Sequence, residues 1–275
     1  MNKQFFSRVL LVVICIATLT SCNKDDDGNS SVKLLETVIY NGKLYLKFEY
    51  DNQNRITKII SYGEALDVTT GEIIECIDEY LLKYNASGDL ISANPEFGYC
   101  GTITYLKNEN KVIVDMQPYS NQSETYYLNN EGYPSKYELA TWHDDCTNYG
   151  TKNFVYQNNN LIQVSWDVAQ NCNPYSSGTR EYTFDDKKSP FYYCKTPKWY
   201  IIHFTLYFDE SLLSMNNVKT ATHFFEYEPE TGFKPMTVTT TCVLEYDNDG
   251  FLRSRSGTTY NNDAYSYLFT YKTGY

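Results

Sequence analysis

The 275-residue chain has 23 lysine and arginine residues against 34 aspartate and glutamate residues, which gives a formal charge of −11. Proteins that bind nucleic acids draw much of their affinity from cations that contact phosphates, so this balance argues against a nucleic-acid partner. Tyrosine is unusually frequent, at 28 residues, in a chain that is 42% hydrophobic and 21% charged. This composition excludes disorder over the whole chain, and its aromatic side chains favour β-strands.

The start of the chain has the organisation of a lipoprotein signal peptide. Lys3 and Arg8 precede an apolar run at residues 9–19, which is shorter than the roughly 20 residues that cross a bilayer as a helix. The sequence Leu-Thr-Ser-Cys that ends at Cys22 resembles the bacterial lipobox, whose cysteine thiol carries a diacylglycerol. We therefore expect residues 1–21 to be the signal peptide and the acylated Cys22 to attach the protein to outer-membrane lipid. An ordinary secretory leader is the alternative.

An acidic stretch follows the lipobox. Residues 22–32 contain Asp25, Asp26 and Asp27, and such a polar segment favours a flexible tether over packed structure. The stretch also resembles the acidic export signal that sends surface lipoproteins of the Bacteroidota to the outer leaflet. The sequence thus predicts a lipid-anchored outer-membrane protein that is exposed on the cell surface, with a plain tether as the alternative.

A short pattern repeats along the rest of the chain. An aromatic residue ends a hydrophobic run, Asp or Asn follows, and a polar turn leads to an aliphatic residue. Asn, Asp and Gly tolerate the left-handed backbone of tight turns, and Asx side chains accept hydrogen bonds from turn amides, so each copy predicts a β-hairpin. The three clearest copies are Tyr50–Ile56, Tyr84–Leu90 and Tyr246–Leu252, and weaker copies cover residues 105–112, 127–133 and 156–161.

Apolar and polar residues alternate on both sides of these turns, as they do in half-buried strands. The alternation predicts an all-β fold, an antiparallel meander of ten or more strands in one curled or half-closed sheet. It also predicts a strand from Trp199 to Phe208, with His203 on the polar face of the sheet. We expect residues 33–275 to form a single domain.

One segment interrupts this rhythm. Pro190 and Pro197 are unsuited to a regular central strand, because proline cannot donate a ladder hydrogen bond. The sequence therefore predicts an irregular crossover near residues 185–220, in which residues 211–215 form one helical turn.

The hairpin pattern resembles the YD repeats of Rhs-type shells, although the copies are too few and too irregular to enclose a comparable cavity. Two further stretches lie behind the lipobox: Asp-Asp-Lys-Lys-Ser-Pro-Phe at residues 185–191 and Ser-Met-Asn-Asn-Val at residues 214–218. They are similar to a family of uncharacterised Bacteroidota lipoproteins with a porin-like, meandering β fold. The resemblance implies a fold and a location, and it implies no catalytic residues.

Six cysteines remain outside the leader and the lipobox: Cys76, Cys100, Cys146, Cys172, Cys194 and Cys242. An even count in an exported chain favours disulfides. Residues equidistant from a hairpin turn face each other, which predicts Cys76–Cys100 around Gly88 and Cys146–Cys172 around Asn159. Elimination then pairs Cys194 with Cys242. Six buried free thiols are the alternative.

The chain lacks the motifs of the common catalytic and metal sites: a nucleophile elbow, a phosphate-binding glycine loop, His-Glu-x-x-His and Cys-x-x-Cys. We therefore expect a protein that is not an enzyme and that has no cofactor and no metal. His143 and Asp144 could chelate a metal together only on a loop, since adjacent strand residues point to opposite faces. A polar strand end is the favoured interpretation of this segment.

Aromatic side chains are the candidate ligand-binding groups, because rigid amphipathic rings give a large contact area at a low entropy cost. The candidates are Trp142, Trp166, Trp199, Tyr192 and Tyr193. The sequence thus predicts a surface lipoprotein that binds a glycan, peptide or protein. Two alternatives are an accessory subunit of an outer-membrane assembly and a glycan hydrolase with paired carboxylates.

Overall fold

Two antiparallel β-sheets make up the fold in a computed structural model of the chain. The structure describes residues 32–66, 73–95, 102–115, 122–143, 146–170, 173–205, 209–226, 235–259 and 261–275. Val32–Tyr275 forms one compact unit, and the predicted lipid-bearing Cys22 lies outside the described residues. Within the described ranges, the helices are too short or too polar to cross a membrane.

The first sheet, called the terminal sheet, contains the two ends of the folded chain. Its strands are β1 (Lys33–Tyr40), β2 (Lys43–Tyr50), β3 (Ile56–Leu66), β4 (Ile73–Tyr84), β5 (Leu90–Pro95), β15 (Val243–Tyr246), β16 (Leu252–Thr258) and β17 (Ala264–Thr273). They are ordered β15-β16-β17-β1-β2-β3-β4-β5. β1 pairs with β17, so the first and the last strands that the structure describes lie side by side in the middle of an open sheet.

The second sheet, called the middle sheet, is formed by the nine intervening strands. They are β6 (Thr102–Leu106), β7 (Lys111–Asp115), β8 (Gln122–Leu128), β9 (Pro134–His143), β10 (Cys146–Gln157), β11 (Asn160–Gln170), β12 (Asn173–Lys188), β13 (Asn216–Phe225) and β14 (Met236–Thr241). They are ordered consecutively, from β14 to β6. The predicted all-β antiparallel meander is therefore confirmed.

The meander forms two sheets and not the one predicted sheet. The chain leaves the middle sheet at Thr241 and enters the terminal sheet at Val243. Between them, the Cys242 amide donates a hydrogen bond of 2.8 Å to the Lys219 carbonyl, which still belongs to the middle sheet. The chain thus passes from one sheet to the other at a single residue. The alternation of apolar and polar residues in the sequence does not indicate this change.

Five hairpin turns share one hydrogen-bonded geometry: Asp51–Arg55, Asn85–Asp89, Asn129–Tyr133, Asp247–Phe251 and Thr259–Asp263. In the fourth of these turns, Asp247 Oδ1 accepts from the amides of Asp249 at 3.0 Å and Phe251 at 2.9 Å. The fourth residue of this five-residue turn is Gly250. Its φ is +80°, a left-handed backbone that glycine adopts without a steric cost. The three clearest predicted hairpins are confirmed.

Three of these turns are preceded by a tyrosine that lies in the core or packs against it: Tyr50, Tyr84 and Tyr246. Tyr50 Oη donates to the Leu35 carbonyl at 2.8 Å, and Tyr84 Oη donates to the Ile56 carbonyl at 2.7 Å. Each ring therefore packs inside the fold while its hydroxyl satisfies a backbone acceptor. At these two positions a phenylalanine would fill the same space but would not donate to the backbone carbonyl.

The predicted irregular crossover lies between β12 and β13 and fills the space between the two sheets. It consists of residues 189–205 and 209–215 in the described chain, and it contains helix α1 (Lys198–Thr205) and a 3₁₀ turn (Glu210–Leu213). Phe191 packs edge-on against Phe48 of the terminal sheet, with ring centroids 5.5 Å apart. Trp199 Nε1 donates to Tyr105 Oη of the middle sheet at 2.9 Å. The crossover is thus the shared core of both sheets.

The prediction of a strand from Trp199 to Phe208 is wrong, because α1 covers most of this segment. Trp199, Ile201 and Ile202 are each at most 2% exposed. A segment that is buried on every side does not need alternation, so its apolar run fits a buried helix as well as a strand. The predicted helical turn at residues 211–215 appears as the 3₁₀ turn.

The structure does not form the disulfides predicted for Cys76, Cys194 and Cys242, which are all free thiols. Cys194 is buried in the crossover, where its amide donates to the Phe191 carbonyl. Cys242 lies at the change of sheets, with Sγ 3.3 Å from Tyr265 Oη. The predicted Cys194–Cys242 bridge is therefore wrong, because the crossover and the change of sheets hold the two cysteines in different surroundings.

The remaining disulfide stays a prediction. Asn148 pairs with Gln170 across β10 and β11, and these two residues are equidistant from Asn159, as the proposed Cys146–Cys172 bridge requires. Cys172, like Cys100, lies outside the described residues.

The close packing of Trp166 on Gly178 gives a test of this fold. A Cβ at Gly178 would lie 2.7 Å from the Phe224 carbonyl oxygen and closer still to the Trp166 indole. We expect Gly178→Ala to lower the free energy of unfolding by about 1–3 kcal/mol, the usual cost of overpacking. Urea unfolding measures the change. Gly63→Ala is the control, because no atom lies within 4 Å of its Cβ position; equal stability of the two variants would contradict the packing.

Candidate ligand-binding cleft

A cleft of about 440 Å³ lies where the edges of the two sheets meet. Its lining comes from β1, β2, β16 and β17 of the terminal sheet, from β12 to β14 of the middle sheet, and from the crossover. Gly257 permits this meeting, because a Cβ there would be only 3.0 Å from the Thr241 carbonyl oxygen. We call this site the seam cleft.

One side of the seam cleft is a wall of four tyrosines: Tyr40, Tyr45, Tyr265 and Tyr267. The ring of Tyr40 lies 5.0 Å from that of Tyr267 and 6.0 Å from that of Tyr45, and Tyr265 and Tyr267 are 5.6 Å apart. Alternation along β17 places Tyr265 and Tyr267 on the same inner face. Burial raises the pKa of both phenols to about 12, so they remain neutral at physiological pH. This tyrosine wall is a continuous aromatic surface.

Arg255 lies at the base of the tyrosine wall. It is only 6% exposed, and its guanidinium carbon lies 5.3 Å from the ring centre of Tyr267. It forms an ion pair with Asp209 of the crossover. Its Nε is buried and has no hydrogen-bond partner among the described residues.

Arg180, which is partly buried, holds a second network on the opposite side. Its Nη1 donates to Glu210 Oε1 at 2.8 Å and its Nε donates to His223 Nδ1 at 3.1 Å. Tyr182 Oη also donates to Glu210 Oε1, at 3.1 Å. The two charged pairs therefore lie side by side, since Asp209 and Glu210 are consecutive in the crossover.

The protonation states follow from burial and from the neighbouring charges. Burial and the nearby Arg180 lower the pKa of His223 to about 4, which agrees with Nδ1 accepting a hydrogen bond. Burial alone would raise the pKa of Glu210, but Arg180 and Lys152 outweigh it and hold that pKa below its usual value. At neutral pH His223 is uncharged and Glu210 is a carboxylate.

The aromatic residues predicted to bind a ligand do not come together. Trp199 is 1% exposed and belongs to the core, so its predicted role as a ligand platform is wrong. Trp166 is near the seam cleft, with its ring 5.9 Å from the Arg180 guanidinium. Tyr192 and Tyr193 lie on the crossover, each about 5 Å from the Lys188 ammonium. The side chain of Trp142 lies outside the described residues.

His203 is also placed differently from its predicted position on a sheet surface. Its Nδ1 lies 2.7 Å from Glu124 Oε2 and 2.8 Å from Tyr126 Oη, and Glu124 is 1% exposed. The histidine thus pairs α1 with β8. The side chains of His143 and Asp144 lie outside the described residues, and the described ones form no cluster of three or more metal-ligating side chains.

Arg180, Asp209 and Arg255 are not among the site residues predicted from the sequence. Arg255 could have been found, because the Thr259–Asp263 turn sets the register that pairs Arg255 with Tyr267, an inward residue. Asp209 could not have been predicted from the sequence, because its position depends on how the crossover folds back between the sheets.

No protein-family model and no curated protein matches the chain. Among solved structures, the chain is similar to a porin-like protein from Bacteroides uniformis ATCC 8492, with 13% sequence identity and a TM-score of 0.51 over 88% of this chain and 99% of that chain. A porin-like protein from Bacteroides vulgatus ATCC 8482 aligns with 10% identity and a TM-score of 0.38, over 80% and 99% of the two chains. The first similarity supports the porin-like meandering fold.

The lowered pKa of His223 predicts a pH dependence of stability. The histidine of the unfolded chain has a pKa of about 6.5, so the unfolded chain binds more protons than the folded chain between this value and about pH 4. The free energy of unfolding should therefore fall as the pH drops through this window, by at most about 1.4 kcal/mol per pH unit for this group. Urea unfolding at pH 7, 6 and 5 measures the slope. His223→Gln should reduce it, and an unchanged slope in this variant would contradict the assignment.

Proposed function

We propose that the chain is a surface-anchored lipoprotein whose folded part is a non-enzymatic binding module, and that a glycan binds in the seam cleft. The observation that carries this proposal is the tyrosine wall beside a buried and a partly buried ion pair, in a cleft of about 440 Å³. This volume is within the range of small-ligand sites, which combine apolar walls with a few oriented polar groups.

The chemistry of the wall and of the base favours a sugar over an extended peptide. A sugar ring presents C–H groups on its faces and hydroxyls on its rim. The rings of Tyr40 and Tyr267 can cover a face, while guanidinium, carboxylate and hydroxyl groups at the base can pair with the rim. A peptide in an extended conformation would instead need free strand edges for its backbone, and the cleft is lined by side chains.

The two carboxylates at the base support a binding role over hydrolysis. A glycosidase needs one carboxylic acid with a raised pKa to protonate the leaving oxygen. Glu210 has a lowered pKa and is held by Arg180 and Tyr182. Asp209 is held by Arg255. Both carboxylates therefore serve to orient arginines.

The location is the second part of the proposal. The lipobox at Cys22 and the acidic stretch after it support a lipid anchor in the outer membrane, with the folded domain facing outward. The tether would leave the seam cleft free to meet a ligand at the cell surface.

A second candidate is an accessory subunit of an outer-membrane assembly. On the outer face of β4, Ile73 is 72% exposed, Ile77 is 54% exposed and Leu81 is 41% exposed. A row of exposed aliphatic side chains is typical of a surface that another chain covers. This row is separate from the seam cleft, so the two candidates can be tested independently.

A glycan array probed with the purified chain tests the proposed function, and titration calorimetry gives the affinity for the best glycan. Tyr40→Ala removes a partly exposed ring of the tyrosine wall and should weaken binding about tenfold or more, a loss typical of an aromatic contact at the centre of a site. Tyr62→Ala, on the outer face of β3, is the matched control and should bind like the wild type.

Two results would contradict this function. Hydrolysis of the bound glycan would show an enzyme, and equal weakening by Tyr62→Ala would place the site elsewhere. Ile77→Ser should leave glycan binding unchanged, because it alters only the aliphatic row on β4.

A further inference from the structure

A second cleft, of about 400 Å³, lies between the crossover and two hairpin turns. Gly88 and Asp89 line it from the turn after β4, residues 131–133 line it from the turn after β8, and residues 194–199 line it from the crossover. Its volume is within the range of small-ligand sites, and it shares no lining residue with the seam cleft. We call this site the crossover cleft.

Lys195 and Lys198 line the crossover cleft, and neither ammonium group forms a hydrogen bond or an ion pair with a described residue. Lys195 is exposed and Lys198 is partly exposed. The Nζ atom of Lys198 is not one of the fully buried polar atoms that lack a partner, so solvent reaches it. Both ammonium groups are therefore available to a ligand.

The surroundings of Lys198 disfavour its positive charge. Burial has the largest effect on its pKa and lowers it, the Cys194 thiol raises it, and the neighbouring ammonium of Lys195 lowers it further. Because burial also raises the pKa of Cys194, this thiol is neutral at physiological pH and supplies no compensating charge. No carboxylate of the described chain is among the groups that act on Lys198.

The described carboxylates that line the crossover cleft, Asp89 and Glu131, are engaged elsewhere. Asp89 accepts from Lys107 Nζ at 2.7 Å and from Asn85 Nδ2 at 3.0 Å. Glu131 is exposed on its turn, where its charge acts on Tyr133. The two lysines thus line the cleft as like charges, with no described carboxylate within ion-pair distance of either.

Contacts with the terminal sheet hold the lysine-bearing segment in place. The Lys195 amide donates to the Asn54 carbonyl at 2.9 Å, and Thr196 Oγ1 accepts from the Ile56 amide at 2.8 Å. Helix α1 begins at Lys198. The backbone that carries both ammonium groups is therefore ordered before a ligand binds, which reduces the entropy cost of binding.

Two ammonium groups match a divalent anion better than a single carboxylate. A phosphate monoester carries a charge of about −1.5 to −2 at neutral pH and offers three acceptor oxygens, so one such group can pair with both lysines. Lysine binds phosphate as a compact point charge. The guanidinium fork that would match a carboxylate is absent from the described lining of the crossover cleft.

We propose that the crossover cleft binds a phosphate monoester, whose phosphate lies between the ammonium groups of Lys195 and Lys198. Tyr192 and Leu128, both partly exposed, give the organic part of the ligand a surface to pack on. A free sugar phosphate and a phosphorylated lipid headgroup share this chemistry. The crossover cleft is separate from the seam cleft, so phosphate binding here is independent of glycan binding there.

Titration calorimetry of the full chain in a non-ionic detergent, with two probes of similar shape, tests this site. Phenyl phosphate is mainly a dianion at about pH 7.5, whereas phenyl sulfate has the same ring and a single charge. We expect phenyl phosphate to bind at least about tenfold more tightly, because its second charge pairs with a second ammonium group. Equal affinity of the two probes, or binding of neither, would contradict the proposal.

Lysine variants locate the site. Lys195→Met and Lys198→Met should each remove most of the preference for phenyl phosphate, because methionine keeps a similar length without the charge. Lys83→Met, at an exposed position on β4, is the matched control and should keep the preference. An unchanged preference in both crossover variants, or an equal loss in the control, would overturn the assignment.

Folding of the variants can be checked separately. Lys198→Met removes a charge that has no described partner, so it leaves no buried group unpaired and should not lower the free energy of unfolding in urea. If this variant nevertheless fails to fold, Lys195→Met carries the test, because Lys195 is exposed.

Two further ligands distinguish the sources of the phosphate. Binding of glucose 1-phosphate alone identifies a soluble ester, and binding of dihexanoyl phosphatidic acid alone identifies a lipid headgroup. Failure of both to bind contradicts the proposal. Tyr40→Ala, which alters the seam cleft, should leave phosphate binding unchanged, so failure of this site and failure of glycan binding can be told apart.

Discussion

The packing of the crossover between the two sheets is the interaction on which the rest of the structure depends. Residues such as Phe191, Trp199, Ile202 and Leu213 are at most 2% exposed, and each buried side chain of this size contributes about 1.5–3 kcal/mol. Backbone contacts tie the same segment to both sheets: the Lys195 amide donates to the Asn54 carbonyl at 2.9 Å, and the Met215 amide donates to the Asn159 carbonyl at 3.1 Å. Without this segment the inner faces of two broad sheets would have no common core.

The same packing builds the seam cleft. Asp209 and Glu210 come from the crossover, whereas Arg255 belongs to the terminal sheet and Arg180 to the middle sheet. Each sheet thus supplies an arginine, and the core segment supplies the carboxylate that orients it. A polar site of this kind can persist beside an apolar core because its charges are paired, which lowers the cost of their burial.

Local features of the fold could be predicted from the sequence, and features that depend on contacts between distant segments could not. The turns at Asp51, Asn85 and Asp247 were predicted correctly, because an Asx side chain and a left-handed residue act within five positions. The helix at Trp199 was missed, since a segment buried on all sides carries no alternation that distinguishes helix from strand. The pairing of Cys194 with Cys242 by elimination is wrong for a different reason: Cys194 is buried in the crossover, whereas Cys242 lies at the change of sheets. Tyr40 and Tyr267 could be placed on inner faces, yet their role depends on which residues the opposite sheet brings near.

Native-state hydrogen exchange in α1 (Lys198–Thr205) tests the central role of the crossover most directly. If the crossover is the shared core, the hydrogen-bonded amides of Ile201 and its helical neighbours should exchange only through global unfolding, with the same opening free energy as the central strands β10 and β11. Exchange of α1 through a smaller, local opening, while those strands stay protected, would show that the sheets hold together without the crossover and would contradict the account.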